Sequence, residues 1–271
     1  MRDAGAKVIE RTDFGDVTRL RMVSWQSRLV QYDVSGYLVR GVLIDTGPWH
    51  VRHELPNVLQ DLQVRGVVVT HWHEDHAGNV PVLAFEATPL WIAPETERKL
   101  RAPFHPRLYR RFTWGAPARL SAAVIPFDPA PLRVIHTPGH SHDHHVVFDE
   151  ETGTLLSADL WLGARAAIVG EDENPYQIIE SLGRAIALKP RRMFDAHRGE
   201  VREPVRALEA RRSWLSATIG SIELRLDAGD PESAILKELL GGEDVFGWLS
   251  RGEYSRVNLI RAVARDRALK L

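Results

Sequence analysis

The chain has 271 residues, 44% of them hydrophobic, and a formal net charge of −1. It is long enough to bury a large core, and its charge is too balanced to demand nucleic acid or an anionic membrane as partner. The absence of cysteine excludes disulfides and thiolate ligands, so any metal must be held by nitrogen and oxygen.

The opening MRDAGAKVIERTDFGD is charged and has no apolar run of the export type. No stretch approaches the ~18 apolar residues of a membrane span. A cytoplasmic location is the default expectation. VTRLRMVSW and RLVQYDVSGYLVRGVLIDTG carry the β-branched residues and partial alternation of antiparallel strands, the second ending at the turn Asp45-Thr46-Gly47-Pro48. HELPNVLQDLQ has apolar positions at helical spacing, and VRGVVVT reads as a short buried strand. THWHEDHAGN follows at once, on a strand exit leading into a helix through NVPVLAFEA, and PLWIA is another strand.

Between Pro94 and Pro131 seven prolines interrupt any long regular element. Within that stretch, Arg98 to Arg119 hold seven Arg/Lys and no Asp or Glu. Strand signals return in LRVIHTPG, in HHVVFDEETGTLLSAD with a hairpin at DEETG, and in RRMFDAH. NPYQIIESLGRAIAL predicts a helix. After His197 the chain turns mainly helical, with a long helix from VREPV to LDAG. A second helix opens at PESAILKELLGG, with Asp230 as cap before Pro231, and a third at SRVNLIRAVARDRAL.

Three histidines and two carboxylates occupy the six positions His71 to His76. The helical zinc-protease signature requires two histidines four apart with glutamate after the first, and this spacing does not supply it. A turn leaving a strand can instead aim His71 and His73 at one metal, and Asp75 and His76 at another. Neither pair suffices, so further donors are required. They stand at other strand ends: His140 in TPGHSH, Asp159 closing TLLSAD, and His197 closing MFDAH. His136, His142, His144 and His145 crowd the same region, and packing or exposure is the better reading for each.

This pattern resembles the metallo-β-lactamase-like hydrolases, whose histidine-x-histidine-x-aspartate-histidine signature is met by His71, His73, Asp75 and His76. The resemblance runs in order from about residue 20 to 200, through His140, Asp159 and His197. It implies a four-layer αβ/βα sandwich, two central sheets with helices outside. His71, His73 and His140 would hold one metal, Asp75, His76 and His197 a second, and Asp159 would bridge them. Asp45, in LIDTG, matches a residue that supports the ligand loop from behind. A complete second site points to the dinuclear, glyoxalase-II-like branch. Zinc suits the imidazole-rich set, with iron and manganese as alternatives. Ala158 departs from the pattern, since many relatives have glycine there.

Two cations about 3.5–4 Å apart can lower the pKa of a shared water. The implied activity is attack of a metal-bridging hydroxide, oriented by Asp75, on a small thioester, ester or lactone. The alternatives are a metal-dependent nuclease, an iron-dependent oxidoreductase and a non-catalytic metal-binding module. The basic stretch, with Arg107, Arg110 and Arg111, is a candidate cover attracting an anionic or carrier-linked substrate. Nucleic acid would use the same cations. Trp49, Trp72, Trp161 and Arg165 are further pocket candidates because they border the ligand segments. The expected division is a catalytic domain over 1–200 and a helical region over 201–271, loosely winged-helix-like.

Overall fold

The computed structural model of the chain describes residues 8–270, with side chains through 267. The first seven residues of the charged opening, read above for an export signal, lie outside that range. The first sheet has seven strands in sequence order: β1 (Ile9–Asp13), β2 (Val17–Met22), β3 (Val34–Val39), β4 (Val42–Ile44), β5 (Gly66–Val68), β6 (Pro89–Trp91) and β7 (Ile125–Pro126). It is antiparallel from β1 to β4 and parallel from β4 to β7. Between these strands run α1 (Trp25–Val30), α2 (Leu55–Asp61), α3 (Val80–Phe85), α4 (Pro94–Arg101) and α5 (Leu108–Trp114).

A second, five-stranded sheet has the order β13-β12-β10-β9-β8. Its members are β8 (Arg133–His136), β9 (His145–Asp149), β10 (Thr154–Ala158), β12 (Arg192–Asp195) and β13 (Gly199–Val201). The short β11 (Val169–Gly170) pairs instead with β14 (Tyr254–Ser255). The remaining helices are α6 (Pro175–Ala187), α7 (Pro204–Asp227), α8 (Glu232–Leu240), α9 (Val245–Leu249) and α10 (Val257–Lys270).

The two sheets face each other across Val17, Val39, Ile44 and Val68 on one side and Val147, Leu156 and Phe194 on the other. The outer face of the first sheet is covered by apolar residues of α2 and α3, such as Leu55 and Leu83. That of the second packs on α6, α7, α8 and α10 through Leu182, Leu215, Ile235 and Ile260. The expected four-layer sandwich is therefore present, with a helical C-terminal region, and strands buried on both faces explain their near-continuous apolar runs. No helix among the described residues is long and apolar enough to cross a membrane.

Two local expectations fail for identifiable reasons. RLVQY does not begin a strand. Ser24 and Ser27 form a reciprocal capping box that starts α1, and Gln31 in the left-handed region ends it, so β3 begins only at Val34. Asp230 does not cap α8, whose N-cap is Pro231 without a side-chain bond. The carboxylate pairs with Arg225 instead.

Candidate metal centre

The ligand segment leaves β5 through Val69 and Thr70 and turns tightly before α3. Gly78 permits the turn, because a Cβ there would lie 2.3 Å from the Glu74 carbonyl and 2.7 Å from that of Gly47. Asn79 then ties the turn to the DTGP loop, donating to the carbonyls of Thr46, Gly47 and Pro48 at 2.8–3.1 Å.

His71, His73, His140 and Asp159 form one potential ligand group, and Asp75, His76 and His197 another. In the first, His73 Nδ1 is 3.0 Å from both His71 Nε2 and His140 Nε2. One ring nitrogen holds either a proton or a lone pair, so Nδ1 can make only one well-directed hydrogen bond of the two, whereas a cation can bind all three nitrogens. Asp159 faces both groups: Oδ2 lies 3.3 Å from His140 Nε2, and Oδ1 lies 3.2 Å from His76 Nε2 and 3.4 Å from His197 Nε2. Asp75 Oδ2 stands 3.6 Å from His197 Nε2. His76 Nε2, His197 Nε2 and Asp159 Oδ1 are buried without a hydrogen-bond partner. Such orphaned atoms are costly unless something binds them, and this donor set fits two cations.

The far nitrogens of His71, His76 and His197 are held by hydrogen bonds, which sets the ligating nitrogen of each. His76 Nδ1 donates to Asp45 at 2.7 Å, and Thr70 Oγ1, itself donating to Asp45 at 2.9 Å, lies 3.0 Å from His71 Nδ1. His197 Nδ1 donates to the Asp33 carbonyl at 2.7 Å. His140 Nδ1 stands at ion-pair distance, 3.2 Å, from Glu173 Oε1, and that oxygen accepts the Gly170 N–H. His144 supports a ligand without joining either group, since its Nε2 accepts the Asp159 N–H at 3.2 Å. Ala158, at φ +44, sits in the left-handed region at a register shift of β10, so the strand bends there to present Asp159. Glycine would be less strained at that position.

Electrostatics divides the histidines, and His140, although burial pushes it down, is raised by the carboxylate of Glu173. Burial and then neighbouring imidazoles hold His71 and His73 well below the usual histidine range. At His197 burial also pushes down, but the carboxylates of Asp159 and Asp75 outweigh it and raise the pKa to about 9. His76 is raised the same way by Asp159, Asp45 and Asp75.

A cavity of about 580 Å³ opens over the site, lined by His73, Asp75, His140, Asp159 and His197. Its walls include Val30, Tyr32, Trp114, Leu162, Ile168 and Phe246. Tyr32 stacks on the His197 ring with centroids 4.3 Å apart. Of the pocket candidates, Arg110 and Arg165 line this cavity, whereas Trp49, Trp72, Trp161, Arg107 and Arg111 do not. Trp49 lies beneath the Arg52 guanidinium, Trp72 packs between His73 and Lys99, and the Trp161 indole donates to Ala207. Arg110 is buried and bound to Glu74 and Glu253, while Arg107 pairs with Glu253 at 3.2 Å. Arg111 is exposed. The basic stretch is thus partly neutralised by carboxylates distant in sequence. The supports Asp33, Thr70 and Glu173 escaped the sequence reading, because no local pattern marks a residue that meets a ligand only through folding.

Residues 31–213 match the family model described as the metallo-beta-lactamase superfamily. A Drosophila melanogaster "Beta-lactamase-like protein 2 homolog" is 31% identical over 191 residues, 63% of this chain and 59% of the relative. An Aspergillus chevalieri "Atrochrysone carboxyl ACP thioesterase" is 32% identical over 139 residues, 50% and 41% of the two chains. The chain spans roughly half the length of such curated relatives, between 40% and 59% for the first three. Among solved structures, a metallo-beta-lactamase family protein from Thermus thermophilus superposes with a TM-score of 0.66 at 17% identity, covering 93% of this chain and 94% of that one. One from Erythrobacter litoralis gives 0.59 at 19% identity, covering 79% and 98%. These two likenesses concern the fold.

Proposed function

Since the chain belongs to the metallo-beta-lactamase superfamily and carries a metal-dependent hydrolase site, we propose that it hydrolyses a thioester of a small, largely apolar acyl group presented on a carrier. The single observation that carries this reading is the cavity: apolar walls of ligand size end on the two-group donor set. The relatives described as ACP thioesterases support the choice of thioester over ester or lactone.

His71, His73 and His140 would hold one divalent cation, Asp75, His76 and His197 the other, and Asp159 would span both. Zinc is favoured by five imidazoles and two carboxylates without a thiolate. When bound, such a pair supplies Lewis acidity and lowers the pKa of water towards neutrality. In the reaction, a water oxygen bonds to the acyl carbon and the C–S bond breaks, giving an acid and a thiol. Asp75, facing the cavity beside His197, orients the water, takes its proton and passes it to the departing sulfur, so that the thiolate leaves as the thiol. Asp45, Thr70, Glu173 and the Asp33 carbonyl keep the ligand rings from rotating, so the donor set is organised before substrate arrives. Tyr32, Trp114 and Phe246 hold the acyl group and exclude bulk water.

A nuclease reading would require free cations to track phosphates; Arg107 and Arg110 are engaged with carboxylates, which favours a small substrate. The glyoxalase-II-like branch, a cytoplasmic place of action and a division near residue 200 are proposed on the same footing. All seven ligands precede that division, and Phe246, Tyr254 and Arg256 add a cavity wall after it. Among the described residues β14 pairs with β11 and not with a second strand of the tail, so it adds no wing to the helical C-terminal region. Metal analysis, followed by zinc-loaded assay on matched thioesters, esters, lactones and single-stranded RNA, tests the reading. Thioester turnover that chelation abolishes is expected, and RNA cleavage without it overturns the proposal.

A further inference from the structure

The cavity mouth carries an apolar collar. Among the described residues, ten of the fourteen exposed large hydrophobic side chains fall on α1 with the two residues after it, on α5, or on α9. Trp25 is 66% exposed, Leu29 69%, Leu108 79% and Trp248 76%. The three elements adjoin: Trp25 meets Phe112 edge-on at 5.3 Å, and Tyr109 meets Phe246 at 6.0 Å. Each also lines the cavity, through Val30, Tyr109 and Phe246. A contiguous apolar surface beside a site marks an interaction face.

Its unengaged charge is one-sided, since the nearby carboxylates of Glu243, Asp244 and Glu253 are taken up by Ser255, by Arg256 and by Arg107 with Arg110. The helices WQSRLV, LYRRFTW and VFGWL contain no acidic residue. Arg111 and Arg251 stand exposed on α5 and just after α9, and Arg165 and Arg198 on the cavity wall; among the described residues none of these four guanidinium groups has a carboxylate partner. Two positive collars repel, so a second copy of this chain is a poor occupant. We propose that this collar docks an acidic carrier protein, which seats an amphipathic surface on α1, α5 and α9 and delivers its thioester-bound acyl arm into the cavity. A carrier presents its arm at its own surface, so docking at the rim aims the scissile bond at the ligand groups. The inference rests on the thioesterase reading and adds the partner and the surface that recognises it.

The test presents one acyl group in two forms to zinc-loaded protein: on holo acyl carrier protein and as its N-acetylcysteamine thioester. The variants are Trp25→Ser/Leu29→Gln/Trp248→Ser and, separately, Arg251→Glu; none of these residues lines the cavity. The triple variant should lose about tenfold or more in kcat/KM on the carrier, as expected for truncated interface aromatics, and change little on the small thioester. Arg251→Glu should weaken only the carrier reaction, with a penalty that shrinks as salt rises. Equal losses on both substrates, or none on either, overturn the proposal. Titration calorimetry with holo acyl carrier protein reads docking apart from turnover. Binding that the variants abolish upholds the collar even if neither thioester is cleaved, a result that would defeat the thioesterase reading alone. Absence of carrier binding overturns the proposal, as does cosedimentation with phosphatidylglycerol vesicles in its place.

Discussion

At the residue scale, Asp159 joins the two ligand groups by turning one oxygen to each. Its carboxylate stays ionised: burial opposes this, but the cationic tendency of His76 and His197 outweighs burial and keeps the pKa well below the usual aspartate range. Asp159→Asn should therefore lower both metal content after dialysis and kcat, read by metal analysis beside steady-state kinetics. Full metal retention would remove the residue from its joining role. Glu173 tests a different link, since it reaches the metal group only through His140. Glu173→Ala should weaken metal affinity by about 10–100-fold, the usual cost of losing such a support, with Glu173→Gln recovering part of it. Chelator competition measures both, and equal affinity in Glu173→Ala and wild type would exclude Glu173 as a support.

At the element scale, the region around α5 depends on Arg110. Its guanidinium joins Glu74, inside the ligand turn, to Glu253 beside β14, and both Arg110 and Glu74 are nearly inaccessible. Removing one member of a buried pair strands the other charge, at about 3–5 kcal/mol. Arg110→Ala should show a large fall in Tm rather than a salt-dependent rise in KM; the reverse pattern would return Arg110 to a substrate-steering role. The β3–β4 turn offers a milder case. There Arg40 pairs with Asp149 at 2.8 Å, joining the two sheets at their ends. Burial alone would raise the Asp149 pKa, but the bonds from Arg40 and Thr152 depress it. A depressed carboxylate stabilises the fold above its unfolded pKa, and that contribution disappears as pH falls through the folded value. Arg40→Ala should lower Tm at neutral pH, and the deficit should close in acid below the usual aspartate range. A deficit independent of pH would assign the effect to packing of the arginine stem.

At the scale of the whole molecule, the metal groups gather ligands from four strand ends across both sheets, so metal binding staples the two halves of the sandwich. Ligands that bind only the folded state add stability of about 2.7 kcal/mol at a hundredfold excess over Kd. Chelation should lower Tm by several degrees, with zinc restoring it, as read by calorimetry. An unchanged Tm would show that the sandwich holds without metal. The C-terminal helices belong to the same accounting of stability, because Leu208, Leu215, Ile219 and Leu259 share one core with Val146, Leu155 and Leu182.

The spacing His71-x-His73-x-Asp75-His76, followed by donors where apolar runs stop, was enough to pick out from the sequence the seven residues that the fold gathers into two candidate ligand groups. Ligation demands particular atoms, and few side chains provide them. The sandwich followed from the family resemblance, and the strands agree with it only in part: VV in β5, VVF in β9, LL in β10 and MF in β12 are apolar and buried, while the ends of β9, β10 and β12 carry polar residues. Only the tertiary structure decided what the arginines do. Arg107, Arg110 and Arg111 look alike in sequence, yet one ties down a loop, one is buried between two glutamates, and one faces solvent. Their carboxylate partners lie far away in the chain, and nothing local encodes the pairing. Trp49, Trp72 and Trp161 adjoin ligand segments in sequence but pack outside the cavity, because backbone direction at a turn, not proximity along the chain, decides which way a side chain faces. The collar on α1, α5 and α9 likewise exists only after folding brings three short helices, each ordinary by itself, round one opening.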